Sequence, residues 1–369
     1  MAMDLKTFAF PAQTVEVFTR VSGVTYESAS ILDIWKSLSV TINYYTANSF
    51  SATVLLTPAN IKLFVPDTLL LIDKCFYYVD KVTCDNLENG TFQVSGNSLF
   101  AKTSTRIVYR TYTQTKRAEL ICYDHLRNEA VAPSDIKRKI GYLDVTSPAI
   151  LTSSTIQYQN SYGVVQEEIE TLCDTYDFGF KEVGTFSNGA VKNQVSFFKG
   201  RDLSNVVEFS AEFENIGEET YENSNYDERT TALIWGEGEG SARKHTQVNN
   251  SLTGIDRKEL YVDARDLQKT TDDVSMTDAQ YLVALQERGK KKLAELPRVL
   301  AANGTVDLNS SLFVYGVDYE VGDRVKRTST AFGLQDSQVL TSITKTWDET
   351  GTYLDGVFGR ESKVKILGK

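Results

Sequence analysis

The sequence predicts a mainly β chain with α/β insertions, an α+β protein. Three observations lead there. Tyrosine and phenylalanine are abundant (19 and 18) and prolines few (six), and aromatic side chains suit the pleated surface of a sheet. The first third carries one strand-like apolar run after another, each bounded by turn formers. Helical spacing is confined to the middle of the chain and to one late segment.

The early strands are SLSVTINYY (37–45), SFSATVLL (49–56), TLLLI (68–72), CFYYVDKV (75–82) and TFQVSG (91–96). Asn89-Gly90 joins the last two, because both residue types tolerate positive φ. A helix over about Lys116 to Glu129 sets Ala118, Ile121, Cys122 and His125 on one face. A second, over about Ser161 to Tyr176, lines up Val165, Ile169, Leu172, Cys173 and Tyr176. FGFKEVGTF and VSFFKG follow as a hairpin about Asn188-Gly189, so the middle third reads as an α/β unit.

The late helix opens on a capping box of Thr277 and Gln280. Leu282, Leu285, Leu293 and Leu296 form its expected seam, and basic residues crowd its second half. Pro297 and then Asn303-Gly304 end it. Strands return with LFVYGVDYEVGDRVKRT, QVLTSITKTW and TYLDGVF. A weak echo links Val79–Gly96 to Leu340–Val357: strand, acidic turn, then Gly-Thr-aromatic opening the next strand. It is compatible with a duplicated barrel, but hairpins resemble each other by chance, and by itself the echo favours two unrelated ones.

A chain of 369 residues exceeds one usual core, so roughly two to four domains are expected. A hydrophobic share of 41% beside 24% charge is that of a folded soluble protein. The net charge of −10 argues against a nucleic-acid binder, although an acidic wall would let DNA slide past without sticking. Cys75, Cys84, Cys122 and Cys173 form no CxxC pair, and reduced, buried thiols in a protein folded in the cytoplasm are expected. The start, MAMDLKTFAFPAQT, has no signal-peptide run, and no segment reaches membrane-spanning length.

Residues 206–267 look most like a reactive site. Gly236, Gly238 and Gly240 follow a strand, yet a dinucleotide fingerprint needs G-x-G-x-x-G opening a helix. Here SARKHTQV reads as another strand, so a hairpin loop is expected. On an extended strand Glu237 and Glu239 would lie ~6.5–7 Å apart, a spacing compatible with a glycosidase pair. Nothing around them supplies the apolar pocket a general acid needs. Asn223, Asn225 and Asp227 mimic the start of a calcium loop, but Glu228 stands where glycine is required and Ile234 where glutamate is required.

Gly96-Asn97-Ser98-Leu99-Phe100 lacks the second glycine of a nucleophile elbow. Of the two histidines, His125 is expected partly buried and hydrogen-bonded, and His245 exposed. Asp263 and Asp266 are expected to pair with Arg257 and Arg265 in a structural ion network. No catalytic, cofactor-binding or metal residue is assigned.

The succession EFSAEFENI, ALIWGEGEGSARK, RKELYVDARDL, a capped helix with ERGKKKL, then YGVDYEVGDRV resembles the tail-tip hub proteins of siphophages, also called tail-associated or baseplate hub proteins. Upstream, TLLLIDKCFYYVDKV, VSGNSLFAKTSTRIV and GVVQEEIETLCDTYDFGFK with FFKGRDLS extend the resemblance over nearly the whole chain. It implies a fold similar to the central hub of contractile-tail baseplates, with two β-barrel-like ring domains interleaved with smaller α/β domains. The expected division is a first ring domain in 1–105, an α/β domain in 106–200, a second ring domain in 201–250 and 305–369, and a helical insertion in 251–304.

The resemblance further implies a virion component, a homotrimer assembled in the host cytoplasm, closing the distal end of the tail tube. Its partners would be the hexameric distal tail protein, the tape-measure protein and the receptor-binding proteins, with phage DNA passing through unbound. Many relatives carry C-terminal extensions with fibres or wall hydrolases. This sequence ends at Lys369 after its last strand, so such work is expected from other proteins. The alternatives are a host-surface-binding tail adhesin and, further off, a cell-wall glycosidase.

Overall fold

Alternating and continuous apolar runs become strands wherever the first third predicts them. In the computed structural model, which describes residues 15–32, 35–271, 275–307 and 312–360, these are β3 (Trp35–Asn43), β4 (Ser49–Leu55), β5 (Leu69–Ile72), β6 (Cys75–Thr83) and β7 (Thr91–Ser98). Two strands precede them, β1 (Val15–Ser22) and β2 (Thr25–Leu32), paired about Gly23 at φ 54°. A short helix, α1 (Pro58–Leu63), is capped by the Thr57 hydroxyl, which accepts from the Asn60 N–H at 3.1 Å. Between β6 and β7 only Gly90 turns left-handed; Asn89 instead closes a tight helical turn from Leu87.

The middle third comprises β8 (Tyr112–Lys116), α2 (Ala118–Leu126), β9 (Leu143–Val145), β10 (Ile156–Asn160), α3 (Val165–Tyr176), β11 (Gly179–Ser187) and β12 (Ala190–Phe198). Ala118, Ile121 and Cys122 of α2 meet Val165, Ile169, Leu172 and Cys173 of α3, all buried in a core shared with Phe180, Val195 and Phe197. The second helix begins four residues later than its periodicity suggests, because Tyr162 takes φ 59° and breaks the approach. Asn188 (φ 51°) and Gly189 (φ 77°) make the expected two-residue turn.

Then come β13 (Glu208–Ser210), β14 (Ile216–Ser224), β15 (Thr231–Trp235), β16 (His245–Val248), β17 (Glu259–Asp263), α4 (Asp278–Ala294), β18 (Val299–Val306), β19 (Arg324–Ser329), β20 (Leu334–Asp348) and β21 (Gly351–Arg360). The capping box is present at Thr277 and Gln280. The leucine seam is the buried face only in part. Tyr281, Ala284, Leu285 and Gly289 are buried, while Leu282, Leu293 and Leu296 lie at the flank. α4 is wedged between β15–β16 on one side and α3 and β10 on the other, so two faces are covered instead of one stripe.

Asn303-Gly304 is not a helix stop but lies inside β18, where a Cβ on Gly304 would come within 2.7 Å of Ile216. Of the long run at 312–328, only the part from Arg324 is a strand. β15, β16 and β17 pair only with one another, in a sheet of their own under α4. This small unit is inserted between β14 and β18 and spans position 250.

The remaining sheet has 16 strands, in the order β11-β12-β2-β1-β5-β6-β7-β4-β3-β20-β21-β18-β14, with β13 and β19 branching from β20 and β9 beside β12. One plan occurs in it twice. β3 to β7 follow one another in the chain and lie as β5-β6-β7-β4-β3. β14 and β18 to β21 likewise follow in chain order, and lie as β19-β20-β21-β18-β14. The β6–β7 register slips between Val79 and Lys81, and the β20–β21 register between Leu340 and Ser342. The sequence echo is therefore a pair of corresponding hairpins. The two plans join where β3 pairs with β20, from Asn43 opposite Ser342 to Ser37 opposite Asp348.

Gly96 allows the β6–β7 slip. A Cβ there would stand 1.8 Å from the Tyr78 carbonyl oxygen, a backbone atom that cannot swing aside. Gly96→Ala is therefore expected to cost about 3 kcal/mol, the upper end for overpacking, and thermal denaturation of the purified variant measures it.

Candidate functional site

The glycine-rich segment is the hairpin loop between β15 and β16. The Gly236 N–H donates to the Lys244 carbonyl at 2.8 Å, and Gly238 (φ 101°) and Gly240 (φ 52°) turn the chain. Gly236 is buried because the Tyr281 hydroxyl occupies the place of a side chain, 2.3 Å from where a Cβ would lie. Glu237 and Glu239 do not form the strand-face pair that an extended backbone would give, because the strand ends at Trp235. The Glu237 N–H donates to Tyr281 Oη at 2.8 Å, and its carboxylate accepts the Lys269 N–H at 3.1 Å. Glu239 is exposed. One glutamate ties the loop to α4 and the other faces solvent.

The acids at and just beyond the end of β17 are held by arginines, two of which lie far off in sequence. Asp263 accepts from Arg265 at 2.6 Å and from Arg243 at 2.7 Å, and the Arg265 hydrogen bonds hold its carboxyl below the usual range. Asp266 pairs with Arg288 of α4 at 2.8 Å. Arg257 does not join them; it bonds Glu259, two residues on, at 2.7 Å.

The calcium-like stretch is engaged by basic side chains. Asn223 accepts from Arg298 at 2.8 Å, and Glu228 pairs with Lys258 at 2.7 Å. Among the described residues no three His, Cys, Asp or Glu side chains gather as metal ligands would. Ser98 is a buried strand residue whose hydroxyl accepts the Asn48 N–H at 3.1 Å. Cys75, Cys122 and Cys173 are buried free thiols, but Cys84 is exposed, contrary to expectation, just beyond the end of β6. His245 is exposed and stacks on Trp235 with ring centroids 4.5 Å apart.

A polar cluster that the sequence does not announce joins α2, α3, β10 and α4. Tyr158 donates to Glu168 at 2.5 Å, Lys291 pairs with the same carboxylate, and His125 Nε2 lies 3.3 Å from the Tyr158 hydroxyl. His125 is buried more completely than expected, and burial pulls its pKa down to about 4. Burial works against the Glu168 carboxylate as well, but Lys291 and the Tyr158 hydroxyl outweigh it and hold the pKa at about 2. Gln159 and Gln268 exchange two bonds of 3.0 and 2.8 Å alongside. The signal was the ERGKKKL run. Read alone it is a solvated basic face, yet Lys291 points inward.

A cavity of about 270 Å³ lies between α3 and the β3–β20 junction, lined by Tyr45, Glu167, Thr171 and Thr341 among others. No helix of the described residues is long and apolar enough to cross a membrane.

The charges thus tie the α4 unit together and, through Lys291 and Glu168, hold it against α3 in one overall fold. Solved structures share that fold over almost the whole chain. The 43 kDa tail protein of prophage MuSo2 from Shewanella oneidensis has a TM-score of 0.51 at 13% identity, over 94% of this chain and 98% of that one. A prophage tail protein from Listeria monocytogenes gives 0.52 at 13% identity, over 95% of each chain. A tail protein from Neisseria meningitidis gives 0.52 at 12% identity, over 95% and 97%. The fold is that of phage tail proteins. The chain belongs to the siphovirus ReqiPepy6 Gp37-like protein family, whose model matches residues 14–360. No curated protein matches it.

Proposed function

We propose that this protein is the structural hub of a siphophage tail tip, a homotrimer that closes the distal end of the tail tube. The observation that carries this reading is the five-strand plan that occurs twice in one sheet. Three copies then present six similar surfaces, which a six-fold ring of distal tail protein can engage. The first plan and the plan of β14 with β18–β21 are the two ring domains. The α/β unit of the middle third and the α4 unit sit beside the ring.

The hub meets the tape-measure protein in the lumen, carries the receptor-binding proteins outside, and opens to release DNA into the host. A net charge of −10 suits a channel that DNA traverses without adhering. It is not an enzyme: the carboxylates that most resemble a catalytic pair are a loop tie and a solvated side chain. Cell-wall zymograms of the purified protein are expected to show no band.

Antibody labelling of purified virions tests the location. Label confined to the tail end distal to the capsid is the expected result; label along the tube, or none on virions, would overturn the proposal.

A further inference from the structure

β14 is the end strand of the large sheet. It pairs with β18 on one side and, among the described residues, with no strand on the other. From Gly217 to Asn223 every residue except Glu219 is exposed. Such an edge is a template for another strand. A second gap lies on β6. β5 covers only Cys75–Tyr78, and the Asp67–Thr68 backbone covers Val79. From Lys81 to Thr83, β6 is paired with β7 alone.

The molecule already contains the junction that would close both gaps. β20 pairs through Leu334–Val339 with β19, as β6 pairs through its first half with β5. The rest of β20, Ser342–Asp348, takes β3. Within the two plans β3 corresponds to β14, each nine residues long, and β6 corresponds to β20. β14 therefore stands towards β6 of another copy as β3 stands towards β20 within one chain.

We infer that β14 pairs antiparallel with Lys81–Thr83 of β6 in a second copy, continuing the sheet from chain to chain. Transferring the β3–β20 register, with Val79 matched to Leu340, sets Lys81 opposite Ser224, Val82 opposite Asn223 and Thr83 opposite Glu222. The contact is polar, as is the internal one, where Ser39 meets Thr346 and Thr41 meets Thr344 at 2.9 Å. It joins two different surfaces, so copies add in one direction and stop when the ring closes. The number of copies, three, rests on the function proposed above.

Disulfide trapping tests the pairing. Directly opposed residues have Cα atoms close enough for a disulfide. In a Cys84→Ser background, oxidised Thr83→Cys/Glu222→Cys protein is expected to run at two and three times the chain mass without reductant. Thr83→Cys/Gly217→Cys, out of register, is expected to stay at the chain mass. As a check free of substitutions, hydrogen exchange across 217–224 of the assembled wild-type protein should be slow.

A trimer by light scattering with no adduct and fast exchange at 217–224 overturns the edge pairing and leaves the trimer intact. Adducts continuing beyond three chains support the pairing and overturn the number. A monomer without adducts overturns both.

Discussion

Glu219→Ala is expected to lower stability by about 3–5 kcal/mol, the cost of leaving a buried charge without its partner. The charge belongs to Arg327, whose side chain has 0% of its surface exposed, in the core of the second plan. Its guanidinium donates to Glu219 at 2.7 Å and to the Phe209 carbonyl at 3.1 Å, and lies 5.1 Å from the Phe358 ring centroid. Nε has no partner among the described residues, and burial works against the charge. Replacing both members, Arg327→Met with Glu219→Leu, removes the charge and its need together, so the double variant is expected to lose far less. Urea midpoints of the three proteins measure the difference. A Glu219→Ala protein as stable as wild type would mean that the guanidinium finds solvent when its partner is gone.

Acidification between about pH 6.5 and 4 is expected to destabilise the protein by on the order of 3 kcal/mol through His125 alone. Burial is the main reason the folded imidazole resists a proton until about pH 4, whereas the unfolded one takes it near 6.5. Over that interval the unfolded chain binds more protons, so stability falls as pH falls. The groups facing His125 are Tyr112, Tyr158, Glu168, Lys291 and Asp124. Glu168 acts at lower pH. Its depressed carboxyl stabilises the fold above about 4.5, and that contribution is lost as pH drops towards 2. His125→Phe should flatten the upper part of the profile and keep the lower. An unchanged slope between pH 4 and 6.5 in that variant would assign the loss to other groups.

Local pattern made much of this fold legible. β4 and β7 alternate, β5 and β6 are continuous apolar runs, Asn188-Gly189 makes its turn, and the Thr277–Gln280 box starts α4 where its spacing says. What escaped depends on packing between distant segments. α4 is covered on two faces, so its buried stripe follows Tyr281, Ala284 and Gly289 with Leu285, and not Leu282, Leu293 or Leu296. Asn303-Gly304 looks like a turn, yet it is the place in β18 where Ile216 of β14 fills the room of a side chain.

The candidate site was legible mainly in what it excludes. Arg243 and Arg288, far from Asp263 and Asp266 in sequence, complete the ion network. Lys291, inside a basic run, is buried against Glu168. No spacing rule links such residues; only the inserted position of the α4 unit brings them together. The echo between Val79–Gly96 and Leu340–Val357 was too short to stand by itself. It acquired meaning when both hairpins were found at corresponding places in the sheet.

The mass of the purified protein in solution, by light scattering during size-exclusion chromatography, alone and with the distal tail ring, tests the central claim most directly. The hub reading predicts three chains per particle, alone or on the ring. A stable monomer that never joins the ring would contradict it.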